Sequence, residues 1–116
     1  MKAWGIFLVG LGAINFVWPS AAAERTGVFS GRYTIGFETS EFIPCGKEVR
    51  WWLTGNLSAI NAMLSPSSGG GMQTVFIRVT GRLSPPGRYG HLGAYKRELT
   101  VDRVLRARAP RPSDCR

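Results

Sequence analysis

Residues 29–37 read FSGRYTIGF, and this stretch is the strongest indication of the fold in the sequence. Its odd positions carry apolar or small residues, and the even positions 30, 32 and 34 carry polar ones. Alternation with a period of two is typical of a β-strand with one buried face. Gly36 lies near the end, where a residue without a Cβ atom permits a bend. We therefore predict that the folded part of the chain opens with a half-buried strand.

Four further strands and one short helix are predicted along the rest of the chain. A turn at 39–40 leads into the second strand, and the helix has Asn56 as its N-cap. In the last strand the apolar positions change from odd to even between Val101 and Val104, which predicts a β-bulge. The predicted elements are strands at 29–37, 41–43, 49–54, 74–83 and 98–107 and a helix at 57–64.

The order of these elements predicts the fold class. Three strands, a helix and two more strands form the element order of the OB-fold, a five-stranded and partly open Greek-key barrel. An SH3-like barrel also has five strands, but the helix between the third and fourth strands favours the OB-fold. We predict an all-β protein with one short helix, folded as a small five-stranded OB-like barrel.

Length and composition limit the chain to one small domain. The chain has 116 residues, a hydrophobic content of 44% and a formal net charge of +8. The hydrophobic content is too high for a disordered polycation. The length leaves no room for separate cofactor and substrate domains. Residues 24–116 are therefore predicted to form a single domain.

Residues 1–23 have the features of an export signal. Lys2 precedes an apolar run at 3–17, and the small residues at 21–23 form an A-x-A-like cleavage site. The alternative is a retained membrane anchor, but a bilayer span needs about 20 apolar residues, and Pro19 ends this run. We predict that the segment is removed, that the mature protein is periplasmic or secreted, and that it is not an integral membrane protein.

Cys45 and Cys115 are the two cysteines of the chain. In an oxidising compartment such a pair is expected to form a disulfide, and a bridge across so long a loop would stabilise the domain by about 4 kcal/mol. A redox or nucleophilic Cys45 and two free thiols are the alternatives. Because the sequence has no CxxC motif and its single His is far from Cys45, we favour the structural disulfide.

Several motifs resemble those of small OB-like domains in bacterial envelope proteins. They are GRYTIGFE at 31–38, FIPCG at 42–46, the Trp51-Trp52 pair and VTGRL at 79–83. The member of this group that the chain resembles is the C-terminal domain of NlpE-type envelope lipoproteins. The resemblance implies a non-enzymatic domain that acts in envelope sensing or in contacts with small ligands and partners. This chain lacks the lipidation cysteine, the N-terminal domain and the CxxC motif of that family, so neither its sensing role nor its functional residues are transferred.

Catalytic and metal sites are not predicted. With one His and seven Asp and Glu, the sequence shows no acid-base pair, hydrolytic triad or zinc motif. The glycines at 69–71 precede a strand rather than a helix, so they do not form a phosphate-binding loop. We predict a protein that is not an enzyme and has no metal or cofactor.

Residues 84–97 are the candidate binding loop. The loop joins the fourth and fifth strands, and in an OB-fold this loop borders the usual binding face. It combines cations with rings, which suits an anionic polymer because rings stack on flat faces and guanidinium groups pair with phosphate or carboxylate. The alternative is structural, with turns formed by Pro and Gly and a barrel mouth closed by tyrosines. The candidate ligand-binding residues are Arg88, Tyr89, His91, Tyr95, Lys96 and Arg97.

Trp52 completes this candidate set. On the third strand, Trp51 and Trp52 point to opposite faces, so one lies in the core and the other faces outward. We expect the outward Trp to pack under the C-terminal tail, with stacking on a ligand as the alternative.

The expected function is that of an exported, non-catalytic binding or accessory module of the cell envelope. The candidate partners are an anionic polymer and an envelope protein, and sequence-specific nucleic-acid binding is not expected. The alternative is a structural or stress-related envelope protein whose diffuse basic face contacts membrane or cell wall without a defined pocket. That face would comprise Arg103, Arg106, Arg108, Arg111 and Arg116.

Overall fold

The computed structural model describes residues 24–64 and 71–116, so the predicted export signal lies outside the described residues. The described part contains five strands and a short helix, with a single 3-10 turn at His91–Gly93 between the last two strands. The elements are β1 (Arg25–Gly36), β2 (Thr39–Pro44), β3 (Trp51–Gly55), α1 (Ser58–Asn61), β4 (Gln73–Leu83) and β5 (Glu98–Arg108).

The five strands close into a barrel in the order β1-β2-β3-β5-β4, and β4 pairs with β1. The neighbouring strands are antiparallel except β3 and β5, which run parallel. The crossover from β3 to the parallel β5 passes through α1 and β4, and this places the β4–β5 loop beside β3. The prediction of a small all-β, OB-like barrel with one short helix is confirmed.

The barrel interior is a single apolar core. Each strand contributes at least one fully buried side chain, and burial of such a side chain stabilises the fold by about 1.5–3 kcal/mol. Ile60 of α1 is also fully buried and packs against the same core. The central side chains of the five strands are Tyr33, Phe42, Leu53, Ile77 and Leu99.

The phenol of Tyr33 is a polar group within this core, and it is hydrogen-bonded. Its hydroxyl lies 3.0 Å from Ser40 Oγ, and Ser40 Oγ donates to the carbonyl oxygen of Leu53 at 2.6 Å. Burial raises the pKa of Tyr33, and the hydrogen bond to Ser40 acts in the opposite direction. The phenol therefore stays neutral at physiological pH.

Several predicted boundaries were wrong, including the start of the third strand, which lies at Trp51 rather than at 49. The first turn lies at Phe37 and Glu38 rather than at 39–40, and Phe37 is 81% exposed instead of continuing the buried face. The helix spans four residues, and Leu57 stands at its N-cap. Asn56 does not cap it, because its Oδ1 accepts a hydrogen bond from Ser58 Oγ. β1 is longer than predicted because its first half pairs with β4, a contact that no local pattern reveals.

β5 contains the predicted irregularity. The pairing of β4 with β5 shifts between Arg78 and Val79 and again between Thr80 and Gly81, so two residues of β5 have no register partner. These residues are Asp102 and Leu105. The bulge predicted between Val101 and Val104 is confirmed, and a second one follows it.

The predicted disulfide between Cys45 and Cys115 is present. The two Cα atoms are 5.0 Å apart, and the bridge ties the chain after β5 to the end of β2. Beside it, Asp114 is buried and accepts hydrogen bonds from Arg108 Nη2 and from the backbone NH of Arg111. Within 24–64 and 71–116, the structure contains no helix of the length and apolar character that a membrane span requires.

Candidate ligand-binding groove

The β4–β5 loop (residues 84–97) is an ordered hairpin rather than a free connection. Tyr89 and Tyr95 pair through two backbone hydrogen bonds of 2.8 and 3.1 Å, and Gly87 NH donates to Lys96 O at 2.8 Å. The Tyr89 hydroxyl donates to the carbonyl oxygen of Pro85 at 2.8 Å. These bonds pair backbone groups of the loop with one another and hold its shape.

The hairpin packs across the outer surface of β3. The rings of Trp52 and Tyr95 lie with their centroids 5.4 Å apart. Gly90 has a φ of 71°, and a Cβ atom at this position would lie 2.5 Å from Trp52 Cδ2. Only glycine combines this left-handed backbone with so close an approach to the indole. Trp52 is thus covered by the β4–β5 loop, and the predicted packing under the C-terminal tail was wrong.

The tip of the hairpin reaches the turn between β1 and β2. His91 Nε2 lies 3.1 Å from Glu38 Oε2 across the two segments. His91 thus links the hairpin tip to the β1–β2 turn through a carboxylate contact. Leu92, the next residue, is 81% exposed and has a left-handed φ of 57°.

A groove remains open on the other side of Tyr95, between the end of the hairpin and the β2–β3 surface. It has a volume of about 500 Å³, which is within the usual range for small-ligand sites. In an OB-fold this surface and this loop form the usual binding face. The groove is lined by Glu41, Val49, Arg50, Trp51, Ala94, Tyr95, Lys96 and Arg97.

Three cations and one carboxylate surround the apolar floor of this groove. Arg50 and Lys96 are exposed, and Arg97 Nη1 donates to the carbonyl oxygen of Ser84 at 3.2 Å. Glu41 is the acid, and its side chain is only 18% exposed. The local charge is therefore positive and favours an anionic ligand.

Both carboxylate oxygens of Glu41 have a partner. Tyr95 hydroxyl donates to Oε1 at 3.0 Å, and Arg50 Nε lies 3.7 Å from Oε2. Burial raises the pKa of Tyr95, the hydrogen bond to Glu41 and its negative charge add to this effect, and the charge of Arg50 opposes it. Tyr95 thus remains a neutral donor at physiological pH, and its ring forms a fixed wall of the groove.

The structure brings together three of the predicted binding residues. Tyr95, Lys96 and Arg97 line the groove. Arg88 lies outside it, with its side chain against Gly93. The other three serve the loop itself: Tyr89 closes the hairpin, His91 contacts the β1–β2 turn, and Trp52 lies under the loop.

Five lining residues were missed by the sequence analysis. The alternation in the third strand already placed Arg50 on the outward face together with Trp52, and that face is the one OB barrels use for binding. Arg50 could have been found from this signal, whereas Ala94 has no distinguishing pattern. The missed residues are Glu41, Val49, Arg50, Trp51 and Ala94.

In the described part of the chain, no three His, Cys, Asp or Glu side chains come together in a group suited to a metal ion.

Comparison with known proteins found no match to a family model, to a curated protein or to a solved structure. The groove and its charges are therefore the basis for assigning a function.

Proposed function

We propose that this protein is an exported, non-catalytic binding module of the cell envelope, and that its groove binds an acidic oligosaccharide. The observation that carries the proposal is the apolar groove on the β2–β3 surface with Arg50, Lys96 and Arg97 at its rim. A sugar ring packs on Tyr95 and Val49, and its carboxylate pairs with the cations.

An acidic sugar fits the groove better than a single-stranded nucleic acid does. Binding of a nucleic-acid strand requires several accessible rings on which successive bases stack. Tyr95 is half-buried, and Trp52 lies under Gly90 and Tyr95. A site with a single partly accessible ring suits one saccharide unit at a time, with neighbouring carboxylates held by separate cations.

The engagement of Glu41 supports binding rather than catalysis. A general base needs an accessible, unpaired carboxylate within reach of substrate. Glu41 accepts from Tyr95 and faces Arg50, and Tyr95 is kept protonated by its surroundings. The polar groups of the groove thus stabilise one another and orient the rim cations toward a ligand.

The disulfide supports an extracytoplasmic location, since such bridges persist in oxidising compartments. Export by removal of residues 1–23 is part of the proposal, as is the similarity to NlpE-type domains. Intact mass of the protein isolated from cell envelopes, with and without reduction and alkylation, tests the export step directly.

The binding proposal is tested with a galacturonic acid tetrasaccharide as the probe. Binding is measured by titration calorimetry and by tryptophan fluorescence on the wild type and on the Arg50→Ala/Lys96→Ala variant. Loss of the charged partners is expected to weaken binding at least about tenfold, because a hydrogen bond to a charged group contributes about 1.5–3 kcal/mol.

Two controls separate a defined groove from general charge attraction. Arg88→Ala removes a cation of the same loop outside the groove and should leave the affinity unchanged. The methyl-esterified tetrasaccharide, which has no carboxylates, should bind much more weakly. Part of the affinity should also persist at about 1 M NaCl, where the Debye length is about 3 Å. An equal loss of affinity in the Arg50→Ala/Lys96→Ala and Arg88→Ala variants would contradict the groove assignment. Complete loss of binding at about 1 M NaCl would contradict it as well.

A further inference from the structure

A second basic surface lies on the outside of β1, β4 and β5, away from the lining of the groove. We call it the arginine face, and its members are exposed side chains on three adjacent strands. Ser30 of β1 is opposite Arg78, Arg78 is opposite Arg106, and Thr80 is opposite Arg103 in the strand register. The arginine face consists of Arg32, Arg78, Arg103 and Arg106.

The two bulges of β5 create this face. Strict alternation from Val101 would point Arg103 into the barrel. With Asp102 and Leu105 left out of the register, the inward positions follow a period of three, and Val101, Val104 and Ala107 pack on the core. Arg103 and Arg106 consequently both face outward, beside β4.

The charges of the arginine face are poorly compensated. Arg78 and Arg106 stand directly opposite each other on paired strands, an arrangement of like charges that destabilises a sheet. In the described part of the chain the arginines with ion pairs are Arg50, Arg82 and Arg108. Among the residues that the structure describes, the side-chain partner of Arg78 is neutral, since its Nη1 donates to Ser30 Oγ at 3.1 Å.

Arg32 lies at the margin of the face. Its charge contributes to the lowered pKa of Asp114, but that carboxylate is already bonded to Arg108 and to the backbone NH of Arg111. The face therefore keeps a positive potential that an external anion would relieve.

The chemistry of this face indicates the kind of partner. Phe76 is the aromatic residue at an outward position of these strands, and Arg108 covers it at 4.4 Å, so no ring is accessible for stacking nucleic-acid bases. Two apolar side chains, Val28 and Leu105, are 50% and 42% exposed. Val28 lies opposite Thr80, the residue that faces Arg103 on the next strand, and Leu105 directly precedes Arg106. Guanidinium groups bind phosphate strongly, and apolar side chains among them suit the interface of a lipid bilayer.

We propose that the arginine face docks the protein onto a membrane that contains anionic phospholipid. Lipid phosphates pair with Arg78, Arg103 and Arg106, while Val28 and Leu105 contact the headgroup region. Docking relieves the repulsion between Arg78 and Arg106, and it leaves the groove, which is built from β2, β3 and the β4–β5 loop, free to hold its own ligand.

The test is co-sedimentation of the full chain with large vesicles of phosphatidylglycerol and phosphatidylcholine, compared with vesicles of phosphatidylcholine alone. A basic residue at an anionic membrane strengthens binding by roughly fivefold. The Arg78→Gln/Arg106→Gln variant is thus expected to lower the partition coefficient by about thirtyfold. Residues 1–23 are the same in all variants, so their contribution to partition is equal.

The control variant Lys47→Gln/Arg88→Gln removes the same charge from sites outside the face and should retain most of the binding. Equal losses in the two double variants, or equal binding to both kinds of vesicle, would overturn the proposal. Competition by glycerol phosphate at matched phosphate concentration would indicate a discrete phosphate site and would also overturn membrane docking. Binding of an acidic polysaccharide through the same arginines, without vesicle binding, would do so as well.

The melting temperature provides an independent readout. The Arg78→Gln/Arg106→Gln variant removes a like-charge pair, so it should melt at the wild-type temperature or above it. Reduced vesicle binding with an unchanged or raised melting temperature supports the proposal. A lower melting temperature would contradict the argument that this pair is unfavourable in the free protein.

Discussion

Asp114 holds the C-terminal segment in place through two hydrogen bonds. Its carboxylate accepts a hydrogen bond from Arg108 Nη2 at 2.5 Å and another from the backbone NH of Arg111 at 2.6 Å. The hydrogen bond to Arg108 lowers its pKa most, burial opposes this effect, and the hydrogen bond to Arg111 lowers the pKa further. The ionised form is therefore the one that the folded protein stabilises.

The contribution of Asp114 to stability is predicted to depend on pH. Because the pKa of Asp114 is lower in the folded protein than its ordinary value of 3.8, its contribution to stability is present above that value and is lost as pH falls through the folded pKa. Asp114→Asn should lower the midpoint of urea unfolding at pH 7. The difference from the wild type should shrink below about pH 4.

Asp102→Asn is the matched control for this prediction. Asp102 is also paired with an arginine, Arg82, but its side chain is 55% exposed and the pair is 3.8 Å long. Exposed pairs contribute about 0–1 kcal/mol, so this variant should unfold close to the wild type at every pH. A pH-independent difference between Asp114→Asn and the wild type would contradict the linkage argument.

At the scale of elements, the contact between the β4–β5 hairpin and β3 decides where the groove lies. The hairpin is closed by the Tyr89–Tyr95 pairing and docks on Trp52 through Gly90 and Tyr95. This docking covers part of the usual OB binding face and leaves the groove beside Tyr95 open. The position of a single glycine therefore determines the shape of the candidate site.

Gly90→Ala is predicted to displace the hairpin from β3. The new Cβ atom would clash with the indole of Trp52 and would also strain a backbone with a φ of 71°. We expect a loss of about 1–3 kcal/mol in the free energy of unfolding, measured by urea denaturation, and a red shift of tryptophan fluorescence as Trp52 becomes exposed.

Gly46→Ala is the control that separates the steric clash with Trp52 from the backbone strain. Gly46 has a similar φ of 76°, but a Cβ atom there would meet nothing within 4 Å. Gly46→Ala should therefore show only the cost of the strained backbone, with unchanged fluorescence. If both variants lose the same free energy, the clash with Trp52 does not contribute, and the packing argument fails.

At the scale of the whole molecule, one covalent bridge fastens the C-terminal segment to the barrel. Cys45 at the end of β2 and Cys115 near the C-terminus are separated by 70 positions, so the loop that the disulfide closes contains β3, α1, β4 and β5. For a domain of this size, with total stability of about 5–15 kcal/mol, such a bridge is a large contribution.

Cys45→Ser/Cys115→Ser is predicted to destabilise the domain by about 4 kcal/mol, because the unfolded chain regains the freedom that the long loop had lost. Thermal unfolding followed by circular dichroism measures the effect. Chemical reduction of the wild type should lower the melting temperature by a similar amount. An unchanged melting temperature in either case would exclude the bridge as a major source of stability.

Much of the architecture could be predicted because strand formation leaves a local signal. The alternation at 29–37 and at 74–83 reflects side chains that point in turn to core and solvent, and the irregular spacing between Val101 and Val104 marked a bulge. The order of the elements then indicated the barrel. The 3.6-residue spacing at 57–64 marked Leu57, Ile60 and Leu64, which all pack on the core. The helix was predicted too long because this spacing does not show that the backbone tightens into turns with i→i+3 hydrogen bonds after Asn61.

The sequence by itself determined the strand pattern, the bulge, the cysteine pair and the basic character, since each depends on residue type and spacing along the chain. Only the tertiary structure decided which residues form the groove. Glu41, Arg50 and Tyr95 are distant in sequence and meet because β3 pairs with both β2 and β5 while the hairpin folds back over Trp52. Likewise, Arg78 and Arg106 become neighbours through strand register. Contacts of this kind depend on the pairing of distant strands, which local patterns do not encode.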